Sequence, residues 1–155
     1  MDEHFLIREA RVEDAVTLIE LMRGLAEFEG YLDRFAVTPE DLRERGFSAQ
    51  GEPQFHVLVA ERSQVLVGYA LTYVIPFTFD LRPTLVLKEF FVAPPFRGEG
   101  IGKALFEAVV ERGKHLRARL LRFQVLPDNA SAARFYASFG AAVDAAWDNW
   151  VLELE

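Results

Sequence analysis

The residues with the clearest chemical pattern form a glycine turn at positions 97–103. Glycine recurs there at every second position, as Gly98, Gly100 and Gly102. Alternating glycines let successive backbone N–H groups converge on an anion, and a helix N-terminus favours negative charge. The turn lies between an apolar strand-like run and a helical stripe, and Arg97 and Lys103 add positive charge to it. The segment therefore predicts a binding site for a phosphate-rich ligand.

Two common nucleotide-binding motifs do not fit the glycine turn. A Walker A loop requires Gly five positions before Gly102, and this chain has Arg97 there. A dinucleotide-binding motif that starts at Gly98 or at Gly100 finds no glycine at its last position. A glycine-rich turn without any ligand remains as the alternative.

A more specific resemblance comes from the turn together with the strand before it. The pattern Arg97-Gly98-x-Gly100-x-Gly102 after Phe90-Phe91-Val92 resembles the coenzyme A signature of the GNAT acetyltransferase superfamily. The resemblance implies that backbone amides of the turn bind the pyrophosphate of acetyl-coenzyme A, and that the strand lies along the pantetheine arm. A second block, which begins at Asn129, resembles the family's last conserved motif. The cofactor-binding residues implied are Phe90, Phe91, Val92, Arg97, Gly98, Glu99, Gly100, Ile101, Gly102, Lys103, Asn129 and Ala132.

Tyr136 is the residue of the second block that the resemblance places near the cofactor's sulfur. A phenol with a pKa near 10 is protonated at neutral pH, so it can donate a proton to a departing thiolate. Tyr136 follows Asn129 by seven residues, which puts both on roughly the same helix face. We expect Tyr136 to act as the general acid. Packing beside Phe135 and Phe139 is the alternative role.

Lys88 and Glu89 interrupt an apolar strand-like run at residues 85–92. Charges in a central strand are costly unless they have a partner or face a wet cleft. Alternation sends the two side chains to opposite faces unless a β-bulge intervenes. The resemblance implies such a bulge, which frees a backbone N–H, expected at Phe91, to polarise the thioester carbonyl. Glu89 is then the candidate catalytic carboxylate that holds the acceptor amine or takes its proton; a strand-edge ion pair is the alternative.

The resemblance narrows to the spermidine/spermine N-acetyltransferase branch and extends from Ile7 to about Trp147. The residues implied on the acceptor side are Glu29, Lys88, Glu89 and Trp147, with a solvated acid at a helix end as the alternative for Glu29. The polyamine enzymes have two acids where this chain has Lys88 and Glu89. Because a second cation repels a polyamine, we expect amino-acid-like or monoamine acceptors to be better substrates than spermidine.

The elements that must position these residues alternate between strand and helix patterns. Strand-like runs cover residues 5–8, 55–61, 65–74, 85–92 and 120–126, and helical spacing follows residues 13, 101 and 129. A short helix begins at Thr38-Pro39, and a final hairpin is expected over residues 142–154 around Asp148-Asn149. This order predicts an α/β (α+β) fold of the GNAT type, in which one mixed, mostly antiparallel sheet is flanked by helices. We expect a single domain over residues 1–155.

Composition excludes several classes of protein. The net charge of -7 argues against a nucleic-acid binder and against docking on an anionic membrane. The absence of cysteine removes disulfides, cysteine-based metal sites and a cysteinyl intermediate. The three histidines have no ligand spacing, so no metal is expected. Without a signal-peptide pattern or a long apolar run, the expected location is the cytoplasm.

These observations predict an acetyl-coenzyme A-dependent N-acetyltransferase. The expected acceptor is the primary amine of a small molecule, diamine- or polyamine-like or amino-acid-like, which attacks directly in a ternary complex. Acetylation of a protein amine and a non-catalytic coenzyme A-binding sensor are the two alternatives. The resemblance also implies a homodimer, and the apolar residues 150–154 offer an edge that a partner subunit could cover.

Overall fold

The computed structural model describes residues 4–47 and 50–155, which fall into two compact units. The first unit ends at Phe123 and the second begins at Gln124. The first contains the strands β1 (Phe5–Glu9), β2 (His56–Arg62), β3 (Val65–Ile75), β4 (Thr84–Val92) and β5 (Leu120–Arg122), and the helices α1 (Ala15–Glu29), α2 (Pro39–Leu42) and α3 (Ile101–His115). The second contains the helix α4 (Ala130–Ala137). In the described residues, no helix is both long and apolar enough to cross a membrane.

The five strands form one sheet in the order β1-β2-β3-β4-β5. Neighbouring strands are antiparallel except for β4 and β5, which are parallel. The predicted mixed, mostly antiparallel sheet is therefore confirmed. The turn between β2 and β3 consists of Ser63 and Gln64, both with positive φ, as a tight two-residue hairpin requires.

Strand β5 is shorter than the predicted run of residues 120–126. It pairs with β4 only through Thr84, Leu85 and Val86. The pairing stops two residues before a bulge in β4 at Lys88, and a bulge bends the strand that contains it. Residues 123–126 of the predicted run lie outside any strand.

Helices α1 and α3 cover opposite faces of the sheet. The α1 side is a cluster that includes Leu18, Val59, Tyr69 and Phe91. The α3 side is a cluster of Ala60, Val67, Val92 and Ile101. Adjacent residues such as Val59 and Ala60 belong to different clusters, because successive side chains of a strand point to opposite faces.

The predicted helix start at Thr38 is confirmed by a capping box. The Thr38 hydroxyl oxygen accepts from the Asp41 amide at 3.2 Å, and the Asp41 carboxylate accepts from the Thr38 amide at 2.9 Å. Pro39 occupies the first position of α2, where its missing N–H has no cost. A π-helical turn, Arg43–Phe47, continues from α2.

In the second unit, α4 ends at the C-cap Ser138, and Gly140 follows with a left-handed φ of 89°. The predicted C-terminal hairpin is wrong within this unit: residues 141–155 have no strand, only a turn at residues 145–146. The apolar side chains of Trp150, Val151 and Leu152 stay exposed there. An isolated two-stranded hairpin is marginally stable in water when no apolar face is buried, so the apolar pattern alone does not form the strands.

Candidate active site

The glycine turn has the backbone that the sequence predicts. Gly98 and Gly100 have φ angles of 81° and 84°, in the left-handed region that non-glycine residues rarely adopt. No heavy atom lies within 4 Å of the position that a Cβ would take at either glycine. Gly100 is the N-cap of α3, whose first residues are Ile101, Gly102 and Lys103. The turn therefore leaves open space against a helix N-terminus, which fits the pyrophosphate of coenzyme A.

Arg97 ties this turn to the end of β4. Its Nε donates a hydrogen bond to the Val92 carbonyl oxygen at 2.8 Å. Its guanidinium carbon lies 5.5 Å from the ring centre of Phe91 and 5.6 Å from that of Phe28, both within cation–π range. Arg97 thus fixes the position of the turn relative to the strand, in addition to its positive charge.

Two further charged side chains of the turn have protein partners. Glu99 forms an ion pair with Arg62 at the end of β2. Lys103 lies on the exposed side of α3, with its Nζ 3.9 Å from Glu107 Oε1. An exposed pair at this distance contributes little stability, so the Lys103 ammonium stays available to an incoming anion.

A β-bulge in β4 brings Lys88 and Glu89 to the same face of the sheet. Leu71 of β3 lies opposite Glu89 and Thr72 lies opposite Leu87, so Lys88 is the extra residue. Lys88 and Glu89 line the same cavity. Two adjacent residues of a strand do so only where a bulge interrupts the alternation of side chains between the faces of the sheet. The expected bulge is therefore present, three residues before Phe91. Phe91 itself lies opposite Tyr69 in regular register, and the role of its N–H stays a prediction.

The cavity beside the bulge has a volume of about 500 Å³, within the range of small-molecule sites. Its apolar lining comes from α1, β3 and the segment between α1 and β2, and includes Met22, Phe35, Leu42, Phe55 and Leu71. Its charged lining consists of Arg34, Asp41, Arg45, Lys88 and Glu89. Of these five, Glu89 is half-buried, whereas Arg34, Arg45 and Lys88 are exposed. We call these three exposed cations the cationic rim.

Glu89 is held by a tyrosine that the sequence analysis missed. The Tyr69 hydroxyl donates a hydrogen bond to Glu89 Oε1 at 3.0 Å, and Tyr69 is fully buried. Burial raises the pKa of Glu89 above its usual value, while the Tyr69 hydrogen bond and the Lys88 charge oppose that rise. Burial and the neighbouring Glu89 also raise the pKa of Tyr69, so its hydroxyl remains a donor at all physiological pH values. A half-buried carboxyl with a raised pKa is a candidate for proton transfer.

Glu29 and Tyr31 belong to the same electrostatic neighbourhood. Burial raises the pKa of Tyr31 to about 12, with further increases from the charges of Glu89 and Glu29. The Glu29 charge also opposes ionisation of Glu89. The end of α1 therefore brings a second carboxylate towards the Glu89 region, as the acceptor-side assignment of Glu29 requires. Tyr31 had no distinguishing pattern in the sequence.

Phe90 lies on β4, and four further predicted site residues lie in the second unit and are described within it. The Asn129 side chain caps α4, because its Oδ1 accepts from the Ala132 amide at 3.0 Å. Tyr136 lies in the last turn of α4, and its ring centre is 5.2 Å from that of Phe135. Trp147 lies outside any helix or strand. The cofactor and acceptor roles of these four residues stay predictions.

Removing the Tyr69 hydroxyl is expected to raise the pKa of Glu89 further. The hydrogen bond stabilises the ionised carboxylate and so opposes the rise in pKa that burial causes. Tyr69→Phe removes this opposition and favours the protonated form of Glu89. Hydrogen bonds to charged groups contribute about 1.5 kcal/mol or more, which corresponds to roughly one pKa unit. A carboxyl-carbon NMR titration of Glu89 measures the change. Tyr73→Phe on the same strand is the matched control. An unchanged titration of Glu89 in Tyr69→Phe would show that the Tyr69 hydroxyl does not stabilise this carboxylate.

Comparison with known proteins agrees with the geometry of the candidate site. The model of the acetyltransferase (GNAT) family matches residues 25–141, which span most of the chain. Thialysine N-epsilon-acetyltransferase of Sus scrofa is 35% identical over 144 residues, covering 88% of this chain and 83% of that protein. Spermidine/spermine N(1)-acetyltransferase-like protein 1 of Homo sapiens is 28% identical over 97% of this chain, which corresponds to 22% of that longer protein. The predicted similarity to the spermidine/spermine branch is confirmed.

The fold has counterparts among solved structures. An aminoglycoside N-acetyltransferase in complex with coenzyme A matches with a TM-score of 0.74, over 100% of this chain and 97% of that protein. The sequence identity in this match is 19%. The likeness therefore shows a shared fold.

Proposed function

Because the chain belongs to the GNAT family of acetyltransferases, we propose that it acetylates the primary amine of a small molecule bound in the Glu89 cavity, with acetyl-coenzyme A as the donor. The observation that supports this most strongly is the half-buried Glu89, held by Tyr69 in a cavity of small-molecule size. An ammonium group is attracted to this carboxylate, and the apolar lining excludes water around it.

The glycine turn is the proposed binding site for the pyrophosphate of acetyl-coenzyme A. The supporting features are the left-handed Gly98 and Gly100, the open space beside them and the N-terminus of α3. Val92 is the last residue of β4, and its carbonyl oxygen accepts a hydrogen bond from Arg97. Strand β4 therefore leads directly into the turn. The same strand contains Glu89, and the pantetheine arm is proposed to follow it. Acetyl-coenzyme A supplies the activated acyl group.

The proposed reaction is a direct transfer. The amine nitrogen, once neutral, attacks the thioester carbonyl carbon; a C–N bond forms and the C–S bond breaks. Glu89 takes the proton of the amine, directly or through water, and the raised pKa of Glu89 makes it a better base than an exposed glutamate. Tyr136 is proposed to protonate the departing thiolate, on the sequence resemblance of its motif. The Phe91 N–H is proposed to polarise the carbonyl oxygen.

The proposed acceptor is an amino-acid-like amine rather than a polyamine. The mammalian relative with 35% identity is a thialysine N-epsilon-acetyltransferase, whose named substrate is an amino acid. Lys88, which lines the cavity next to Glu89, repels the additional cations of a polyamine. At about 4 Å and an effective dielectric constant near 20, such repulsion is of the order of 4 kcal/mol before solvent relaxation.

Thiol release tests this function directly. Acetyl-coenzyme A is mixed with the protein and with lysine-like amino acids, diamines, spermidine, aminoglycosides or a peptide with a free N-terminus. We expect release with a small-molecule amine and a large loss of kcat in Glu89→Gln, which keeps the size of the side chain but cannot accept the proton. Preference for the peptide would indicate a protein substrate instead. Binding of acetyl-coenzyme A without thiol release from any amine would identify a sensor.

We also propose that the protein is a homodimer, as the family resemblance implies. The apolar residues 150–154 are the segment that a second copy is proposed to cover. Light scattering is expected to give a mass of twice 17.6 kDa. A mass equal to one chain at micromolar concentration would contradict the dimer.

A further inference from the structure

The cationic rim of Arg34, Arg45 and Lys88 is unexpected in a protein with a net charge of -7. All three side chains line the same cavity as Glu89. Within residues 4–47 and 50–155, none of the three has a carboxylate within ion-pair distance. The rim therefore concentrates positive charge, without ionic partners, at the exposed side of the cavity.

The two acids of the cavity offset the charges of Arg45 and Lys88 only in part. The Asp41 carboxylate accepts hydrogen bonds from the Thr38 amide and hydroxyl, both at 2.9 Å, and these bonds hold its pKa below the usual value. Asp41 is thus committed to capping α2, although its charge interacts with Arg45. The Glu89 carboxylate accepts a hydrogen bond from Tyr69, and the charge of Lys88 favours its ionised form. Arg34 has no such compensation from the cavity.

We propose that Arg34 and Arg45 form a carboxylate-binding subsite that selects acceptors with an amine at one end and a carboxylate at the other. This proposal rests on the proposed function and assigns a second charged part of the cavity lining. A guanidinium group binds a carboxylate through two parallel hydrogen bonds, and it binds an ammonium group not at all. The amine is drawn to Glu89, and the carboxylate then lies at the rim. The bound acceptor is oriented by both charges.

The charge distribution also predicts which amines are poor acceptors. A diamine or polyamine would place its second ammonium group among three cations, where each like charge raises its free energy. The three residues of the rim are exposed, whereas Glu89 is half-buried. A ligand can therefore enter with its amine first and leave its carboxylate at the exposed side, without desolvating an unpaired charge.

Matched pairs of acceptors isolate the contribution of the carboxylate. Lysine and 1,5-diaminopentane differ only by the carboxylate group, as do ornithine and 1,4-diaminobutane. The kcat/KM of each is measured by thiol release for the wild type, Arg34→Gln and Arg45→Gln. Arg43→Gln is the matched control, because Arg43 is on the same segment, pairs with Glu40 and does not line the cavity. Thermal unfolding of each variant verifies that it is folded.

We expect the wild type to prefer each amino acid to its diamine, and each rim substitution to reduce that preference about tenfold through KM. Tenfold corresponds to 1.4 kcal/mol, one good charged hydrogen bond. Arg43→Gln should leave the preference unchanged. A wild-type preference for the diamines, or a preference that is the same in all variants, would overturn the subsite. Calorimetric binding of lysine and 1,5-diaminopentane separates this result from failure of the proposed reaction: an Arg34-dependent preference for lysine without thiol release keeps the subsite and rejects the reaction.

Discussion

Gly100→Asp is expected to abolish measurable binding of acetyl-coenzyme A at concentrations that saturate the wild type. The substitution places a carboxylate in the open space beside Gly100, where the pyrophosphate is proposed to lie. At about 4 Å and an effective dielectric constant near 20, repulsion between like charges is of the order of 4 kcal/mol, or almost a thousandfold in affinity. Calorimetric titration with acetyl-coenzyme A measures the loss.

Two control variants separate charge from backbone strain in this experiment. Gly100→Asn introduces a side chain of nearly the same shape without the charge, and asparagine tolerates the left-handed region better than most residues. Gly51→Asp introduces the same charge at another left-handed glycine, with φ 95° and open space around it, outside the glycine turn. We expect Gly51→Asp to bind as the wild type does and Gly100→Asn to bind more weakly than the wild type but better than Gly100→Asp. Equal affinity of wild type and Gly100→Asp would reject the turn as the pyrophosphate site.

Tyr136→Phe is expected to reduce kcat by about a hundredfold or more and to leave acetyl-coenzyme A binding nearly unchanged. The substitution keeps the aromatic ring and its contact with Phe135 but removes the proton that the departing thiolate needs. Loss of a general acid typically costs this much, and an effect confined to turnover indicates an interaction made in the transition state. Steady-state thiol release together with calorimetry measures the two quantities separately.

The alternative role of Tyr136 gives the opposite pattern. If the ring only packs, Tyr136→Phe retains wild-type turnover because phenylalanine packs equally well. Tyr73→Phe, which removes the hydroxyl of a partly exposed tyrosine on β3, is the matched control and should retain full activity. Full activity in both variants would indicate that water, and not Tyr136, protonates the thiolate.

Local sequence patterns were sufficient to predict the glycine turn and most of the elements around it. The left-handed backbone of Gly98 and Gly100 follows from the glycines themselves, and the two-residue hairpin between β2 and β3 follows from the gap between two β-rich runs. These features depend on residues close in sequence.

The parts of the site that sequence did not predict depend on pairing between distant segments. Tyr69 lies inside the strand-like run of residues 65–74, and only the register with β4 places its hydroxyl against Glu89. No sequence pattern distinguishes Arg34 and Arg45 from other cations, and only the folded chain shows that they line the cavity of Glu89. The C-terminal hairpin failed for the related reason that an apolar alternation specifies a strand only where a partner strand and a core exist.

The single extra residue at Lys88 makes the proposed acceptor site depend on the phase of side-chain alternation in one strand. Before the bulge and after it, the side chains of β4 alternate between the two faces of the sheet in opposite phase. Glu89 faces the cavity only because of that change of phase. Deletion of one codon at this point would restore a uniform alternation and turn either the segment before it or the segment after it to the wrong face. Point substitutions in β4 therefore keep the phase of the alternation, whereas an insertion or deletion of one residue changes which side chains reach the cavity.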